Sequence, residues 1–366
     1  MESAPNLLRD TGIPQSDIEM RLELAFNTIF EDYEERFYFE CGDDAGYLLD
    51  TGNLDARTEG MSYGMMMAVQ RDRKDLFDRL WMFSVRYMLN RTGPYEGYFA
   101  WSVQPNGRHN SDGPAPDGEE YYAMALFFAA ARWGDGEPPR DYSAQARSIL
   151  RHALHQHELV RGGKPMWDLD TALIKFVPDL PFSDPSYHLS HFYDRFAVLA
   201  DEVDRPFWRR AAQASRSYLA KVCHPLTGLA PEYALYDGSP ETKHGHGDFF
   251  SDAYRVALNI GLDSAWNGKR PEYHAIADLM QTFLWDREPW MTYTTAGQAK
   301  EPPALHPVGL LATTAAASLA TDTLRSREWV LRFWNTPPRK GARRYYDNCL
   351  YFFCLLALAG EYRCFA

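Results

Sequence analysis

The chain has 366 residues, with 38 basic and 50 acidic side chains and a formal net charge of -12. That balance argues against a nucleic-acid partner or an anionic membrane surface, both of which need a basic face. No apolar run approaches the roughly 18 residues of a membrane span.

Hydrophobic residues make up 45% and charged residues 24%, an ordinary globular mixture. The 22 Tyr, 21 Phe and 10 Trp are a surplus. Such a surplus fills a large core or lines a groove for flat ligands, sugars among them. The five cysteines, Cys41, Cys223, Cys349, Cys354 and Cys364, are odd in number and contain no CxxC pair. Neither a disulfide framework nor a zinc site is expected, and a reducing compartment fits best. The stretch 1–10 lacks the basic and apolar segments of a secretory signal, so the sequence predicts a cytoplasmic protein.

Helical periodicity predicts helices at roughly 16–33, 60–70, 73–90, 118–134, 143–157, 188–203, 206–223, 251–265, 271–286, 307–320, 324–336 and 344–360. Ser143, Asp184-Pro185-Ser186 and Ser251-Asp252 are start signals for three of them. The predicted strands are few: 98–103 and 173–177. Pro and Gly are scattered in short clusters, so no linker divides the chain, and residues 1–366 are expected to form a single domain. About twelve helices of similar length point to an all-α fold, an (α/α)6 barrel with a few short strands in its loops. An α-solenoid would show a readable repeat, and none is present.

Three segments set acids beside glycine and aromatics. In Thr58-Glu59-Gly60-Met61-Ser62-Tyr63-Gly64, Glu59 stands at the start of an apolar helical run. It is either a glutamate favoured by the helix dipole or a proton donor whose pKa is raised by apolar surroundings. Asp117 precedes a predicted helix with Glu119 and Glu120 in its first turn, and Asp252 opens another. An N-cap accounts for each of these two aspartates taken alone. Glycoside hydrolysis is the chemistry that needs two carboxyl groups facing one bond. Arg255, three residues after Asp252, is placed to hold a carboxylate ionised. Trp101, Tyr122, Trp167, Tyr187 and Tyr254 are candidate stacking platforms, with core packing as the alternative for each.

These segments carry a resemblance. Thr58 to Met65, Ala115 to Leu126 and Ser251 to Val256 resemble the acid, central aspartate and base segments of glycoside hydrolase family 8, in the family's order. The resemblance implies an (α/α)6 barrel and an inverting hydrolase. Glu59 would be the general acid, Asp252 the general base, and Asp117 the residue that holds the distorted sugar. Asp55 to Gly60, Leu173 to Pro178, Asp184 to Leu189 and Leu305-His306-Pro307 look like the reducing-end xylose-releasing exo-oligoxylanases of this family. The implied activity is release of xylose from the reducing end of β-1,4-xylo-oligosaccharides. The loop Leu305-His306-Pro307 would close the cleft past the first leaving-group subsite, with His306 bonded to the departing xylose and Arg57 opposite. Arg57, Tyr63, Trp101, Tyr122, Tyr187, Tyr254, Arg255 and His306 are the implied substrate contacts. An inverting pair holds a water between base and sugar, so Glu59 and Asp252 are expected roughly 6.5–9.5 Å apart.

An open-cleft endoxylanase, endoglucanase or chitosanase is the main competing reading, with a sugar epimerase on the same barrel behind it. No cofactor or metal is expected. His244-Gly245-His246 lacks helical spacing and a third ligand, and His152, His155 and His157 read as a solvated face. GxGxxG, GxxxxGK[ST] and GxSxG motifs are absent.

Overall fold

A computed structural model describes residues 5–365. It contains, among the described residues, thirteen α-helices: α1 (Leu7–Asp10), α2 (Gln15–Phe30), α3 (Thr58–Gln70), α4 (Lys74–Phe83), α5 (Pro116–Trp133), α6 (Tyr142–Leu159), α7 (Ser190–Leu199), α8 (Arg205–Val222), α9 (Arg255–Asn267), α10 (Pro271–Leu284), α11 (Pro307–Ala316), α12 (Leu324–Trp334) and α13 (Arg344–Leu358). All twelve predicted helices are present, and the short α1 is additional. The first four residues of the N-terminal stretch read above lie outside the described residues.

Burial alternates along the chain. Helices α3, α5, α9, α11 and α13 are buried nearly all round, and α7 largely so. Helices α2, α4, α6, α8, α10 and α12 each keep a solvent face. A helix apolar on every side must be covered on every side, whereas an amphipathic one needs only one partner surface.

The chain divides into two compact units. The first comprises the described residues up to Phe26, then Phe182–His191 and Ala212–Arg363. Within it α11 packs on α13, α9 and α12, and α10 packs on α9 and α12. Gly261 of α9 lets that helix approach α11 closely, since a Cβ there would stand 2.4 Å from the Ala316 carbonyl oxygen. The second unit comprises Asn27–Pro181, Phe192–Ala211 and the described residues from Cys364. Within it α3 packs on α4 and α5, and α5 on α6.

Strands are shorter than the sequence suggests. Of 98–103, only Ser102–Val103 forms a strand, paired with Ala56–Arg57 and His109–Ser111, while Phe99 makes an isolated bridge to Leu89. Of 173–177, only Leu173–Ile174 pairs, with Trp167–Asp168. β-propensity marks a segment that suits a sheet, but pairing needs a partner in register, and these loops supply one for two residues. The predicted helix 73–90 is interrupted: α4 ends at Phe83 and a π-turn covers Ser84–Met88. Ser143 does not open α6, which starts at Tyr142; its amide and hydroxyl both donate to Asp135.

Candidate active site

Glu59 is the one residue of α3 that is not buried. Every other side chain from Thr58 to Gln70 is enclosed, which fixes the helix rigidly and leaves a single half-exposed carboxylate in its first turn. A glutamate placed there only to satisfy the dipole has no need of a fully enclosed helix beneath it. The approach to α3 is built by pairing. Arg57 pairs with Ser102, and the Thr58 amide donates to the Trp101 carbonyl at 2.9 Å. The Arg57 guanidinium is held by Asp55 at 3.0 Å and Asp50 at 3.3 Å and lies 5.2 Å from the centroid of the Trp101 ring. Both Arg57 and Trp101 remain half-buried, so each keeps a surface for a ligand.

Asp117 is not an N-cap. Ala115 occupies that position, Pro116 opens α5, and the Asp117 carboxylate accepts from the Gly118 amide at 2.8 Å. Gly118 sets the contact with α3: a Cβ there would lie 2.5 Å from Thr58 Cβ and Oγ1. The first turns of α3 and α5 therefore touch, which brings the Glu59 and Asp117 segments together. Glu119 is fully enclosed and accepts from the Phe99 amide at 2.8 Å. Burial pushes its carboxyl up to about 8, helped by the charge of Asp117, so it is neutral at pH 7.

In the first unit, Asp252 is the second residue of a 3₁₀ turn, Ser251–Tyr254, that leads into α9. It caps nothing; Phe250 is the N-cap residue, and it makes no side-chain cap bond. Ser251 before it has φ 22°, a strained conformation for a residue with a Cβ. Arg255 stands 3.5 Å from Asp252, as its spacing suggests, and 3.9 Å from Asp184. Its guanidinium lies between Tyr187, at 5.4 Å from the ring centroid, and Tyr346, at 6.0 Å.

Two acids beside Asp252 were missed in the sequence. Asp184 is wholly buried and accepts from the Ser186 amide at 2.7 Å. Burial first, then the neighbouring Asp252, hold it well above the usual carboxylate range. Glu232 accepts from the Asp252 amide at 3.4 Å and pairs with His246 at 2.8 Å. Burial, then Asp252, push it up to about 8. Glu232 is therefore protonated at neutral pH, and the upward shift of Asp184 acts in the same direction, which limits the negative charge gathered around Arg255. Asp184 reads in sequence as a helix start, and Glu232 lies in a loop with no motif; only the fold reveals their shared neighbour.

Other expectations need correction. A stacking platform requires an open ring face, and Tyr122 and Tyr254 are 0% exposed; Tyr63, expected as a substrate contact, is 1% exposed. Tyr122 packs on Phe99 and Trp81 with its hydroxyl on Ser84 at 2.8 Å, Tyr63 meets Tyr121 edge-on, and Tyr254 packs on Phe249. Trp167 is likewise core, edge-on to Trp208 and Tyr193. Tyr187 stays beside Arg255 and keeps a small exposed surface. His152 and His155 are half-buried and bonded to Gln156 and Asp204, not part of a solvated face. His244 pairs with Glu241 and His246 with Glu232, so the two histidines serve different acids.

The loop Leu305-His306-Pro307 leads into α11. His306 is mostly buried, edge-on to Tyr346 with centroids 4.8 Å apart, and its Nδ1 lies 2.9 Å from Asp347 Oδ2.

The sequence profile of Glycosyl hydrolases family 8 matches residues 24–360. The chain is 56% identical over 364 residues to the reducing-end xylose-releasing exo-oligoxylanase Rex8A of Paenibacillus barcinonensis, covering 98% of this chain and 96% of that protein. The structure of Rex8A complexed with xylose aligns with a TM-score of 0.97 at 55% identity, covering 100% of this chain and 98% of the other. A mutant of a reducing-end-xylose releasing exo-oligoxylanase complexed with xylobiose aligns with a TM-score of 0.97 at 54% identity, covering 99% and 97%. The all-α (α/α)6 class follows, and the chain is a glycoside hydrolase that belongs to family 8.

Proposed function

We propose that this enzyme releases xylose from the reducing end of β-1,4-xylo-oligosaccharides with inversion at the anomeric carbon. The observation that carries the reading is whole-length identity above one half to an enzyme of that name. In the proposed reaction Glu59 gives its proton to the glycosidic oxygen as the bond to C1 breaks. Asp252 takes a proton from a water whose oxygen bonds to C1 from the opposite face. Xylose leaves neutral, and the shortened oligomer carries the new hydroxyl in the α configuration. Asp117 holds the distorted sugar. Arg57, Trp101, Tyr187, Arg255 and His306 are the proposed substrate contacts, supported by their charge, ring faces or residual exposure. The whole chain acts as one catalytic domain, a reading supported by a family match that runs through both units.

Xylotriose is expected to give xylose and xylobiose, with the new end of xylobiose appearing first as the α anomer in proton NMR of fresh digests. Xylotriose reduced to the alditol is expected to resist. Equal cleavage of free and reduced trisaccharide overturns the reducing-end reading, and a β anomer first overturns inversion. Rapid loss of viscosity in a soluble xylan would assign an open cleft instead.

The proposed location is the cytoplasm, supported by an odd number of cysteines with no CxxC pair, a usage that fits a reducing compartment. Cell fractionation is expected to find the activity with cytoplasmic markers; recovery from the culture medium overturns the assignment.

A further inference from the structure

The turn that carries Asp252 is not held by its own residues. Ser251 has φ 22°, inside the region that strains a residue with a Cβ. Phe250, the N-cap residue, makes no side-chain cap bond. A strained backbone persists only where its neighbours over-determine it. Ahead of the turn, the Phe249 amide donates to the Tyr293 carbonyl at 2.7 Å. At its start, the Tyr346 hydroxyl donates to the Ser251 carbonyl at 3.4 Å. The Asp252 amide follows. An amide in the first turn of a helix has no acceptor within that helix. Glu232 Oε1 supplies one at 3.4 Å, from a loop twenty residues away.

Glu232 is itself braced. Its amide donates to the Asp248 carbonyl at 2.9 Å, and the Tyr233 amide donates to the His246 carbonyl at 2.9 Å. Residues 232–233 are thus zipped to 246–248, the run that leads into the turn. The His246 ring stacks on Tyr233 with centroids 4.5 Å apart, and its Nδ1 lies 2.8 Å from Glu232 Oε2. The Glu232 side chain is 8% exposed, so it is not free to swing into solvent. Whichever of the pair holds the proton between them, Oε2 is engaged by the imidazole and Oε1 is left as an acceptor. An amide donor needs that polarity.

We infer that Glu232, aimed by His246, is a positioning residue for the proposed general base, fixing the strained turn from which Asp252 reaches the attacking water. The inference rests on the proposed role of Asp252 and deepens it. A base that must meet a water opposite a breaking bond tolerates little displacement. A misplacement on the order of 1 Å lowers the rate about 100-fold.

The test is a double-mutant cycle between Glu232 and Asp252, read on xylotriose and on β-xylobiosyl fluoride at pH 7. Glu232→Ala is expected to lower kcat about 10- to 100-fold on both substrates with little change in KM. Glu232→Gln keeps Oε1 as an acceptor and, because Glu232 is protonated at neutral pH, changes no charge, so it is expected to recover most of that loss. In an Asp252→Asn background, Glu232→Ala is expected to lower the rate by less than about 3-fold, because no base is left to aim. A general structural role would multiply the two losses, and that result overturns the inference. Glu232→Gln as damaging as Glu232→Ala overturns it too. Should Glu232→Ala fail to fold, Glu232→Asp, which draws the acceptor back by one methylene, carries the same cycle. Near wild-type rates for Asp252→Asn would overturn the base assignment and this inference with it, whereas multiplied losses overturn the inference alone.

Discussion

Glu59→Gln is expected to lower hydrolysis of xylotriose about 100- to 10,000-fold, the usual contribution of a general acid, while leaving cleavage of β-xylobiosyl fluoride largely intact. Fluoride departs without a proton, so removing the donor matters only when the leaving group is a sugar oxygen. Asp252→Asn is expected to reduce both substrates by a similar factor of about 100 to 10,000, because water must be deprotonated whatever leaves. Steady-state rates on the two substrates give the split. Equal losses on both substrates for Glu59→Gln would remove it from the acid role. Near wild-type rates for Asp252→Asn would remove it as the base. The surroundings of each residue prepare this difference. Glu59 projects from a helix with every other side chain buried. Asp252 sits 3.5 Å from a guanidinium and next to two acids that burial shifts toward their protonated forms.

Glu119→Gln is expected to flatten the dependence of stability on pH. Burial raises the Glu119 carboxyl from 4.5 to about 8 in the folded protein. The folded state therefore binds the proton more tightly than the unfolded chain does. Its contribution is complete below about 4.5, is lost as pH rises through the window to about 8, and is constant above that. The full loss is on the order of 5 kcal/mol. Glutamine keeps an oxygen for the Phe99 amide and does not titrate. Denaturant unfolding at pH 5 and pH 9 should show the wild type losing markedly more stability than the variant. Parallel losses in the two proteins would show that Glu119 is not held neutral. Glu232 and Asp184 add slopes of the same sign, and comparison with the single variant cancels them. The effect reaches the site through the chain: Glu119 anchors Phe99, and two residues on the Trp101 carbonyl receives the amide that opens α3.

The twelve long helices were legible because each buries at least one face, and the 3.6-residue period of that burial is written in the order of residue types. The three acid segments were legible through their resemblance to a family; residue chemistry alone left Asp117 and Asp252 as helix caps. Short strands were overestimated because a strand exists only where another segment meets it in register.

Composition and periodicity by themselves determined that this chain is all-α, that its helices are about twelve and where they lie, because those properties depend on neighbours in sequence. Tertiary structure alone decided which aromatics are sealed in the core, that Asp184 and Glu232 crowd Asp252 as acids whose pKa values burial raises, and that Asp347 grips His306 from forty-one residues away. Those outcomes depend on burial and on charges brought together across long stretches of chain, and burial is a property of a position in space that no local pattern of residues encodes.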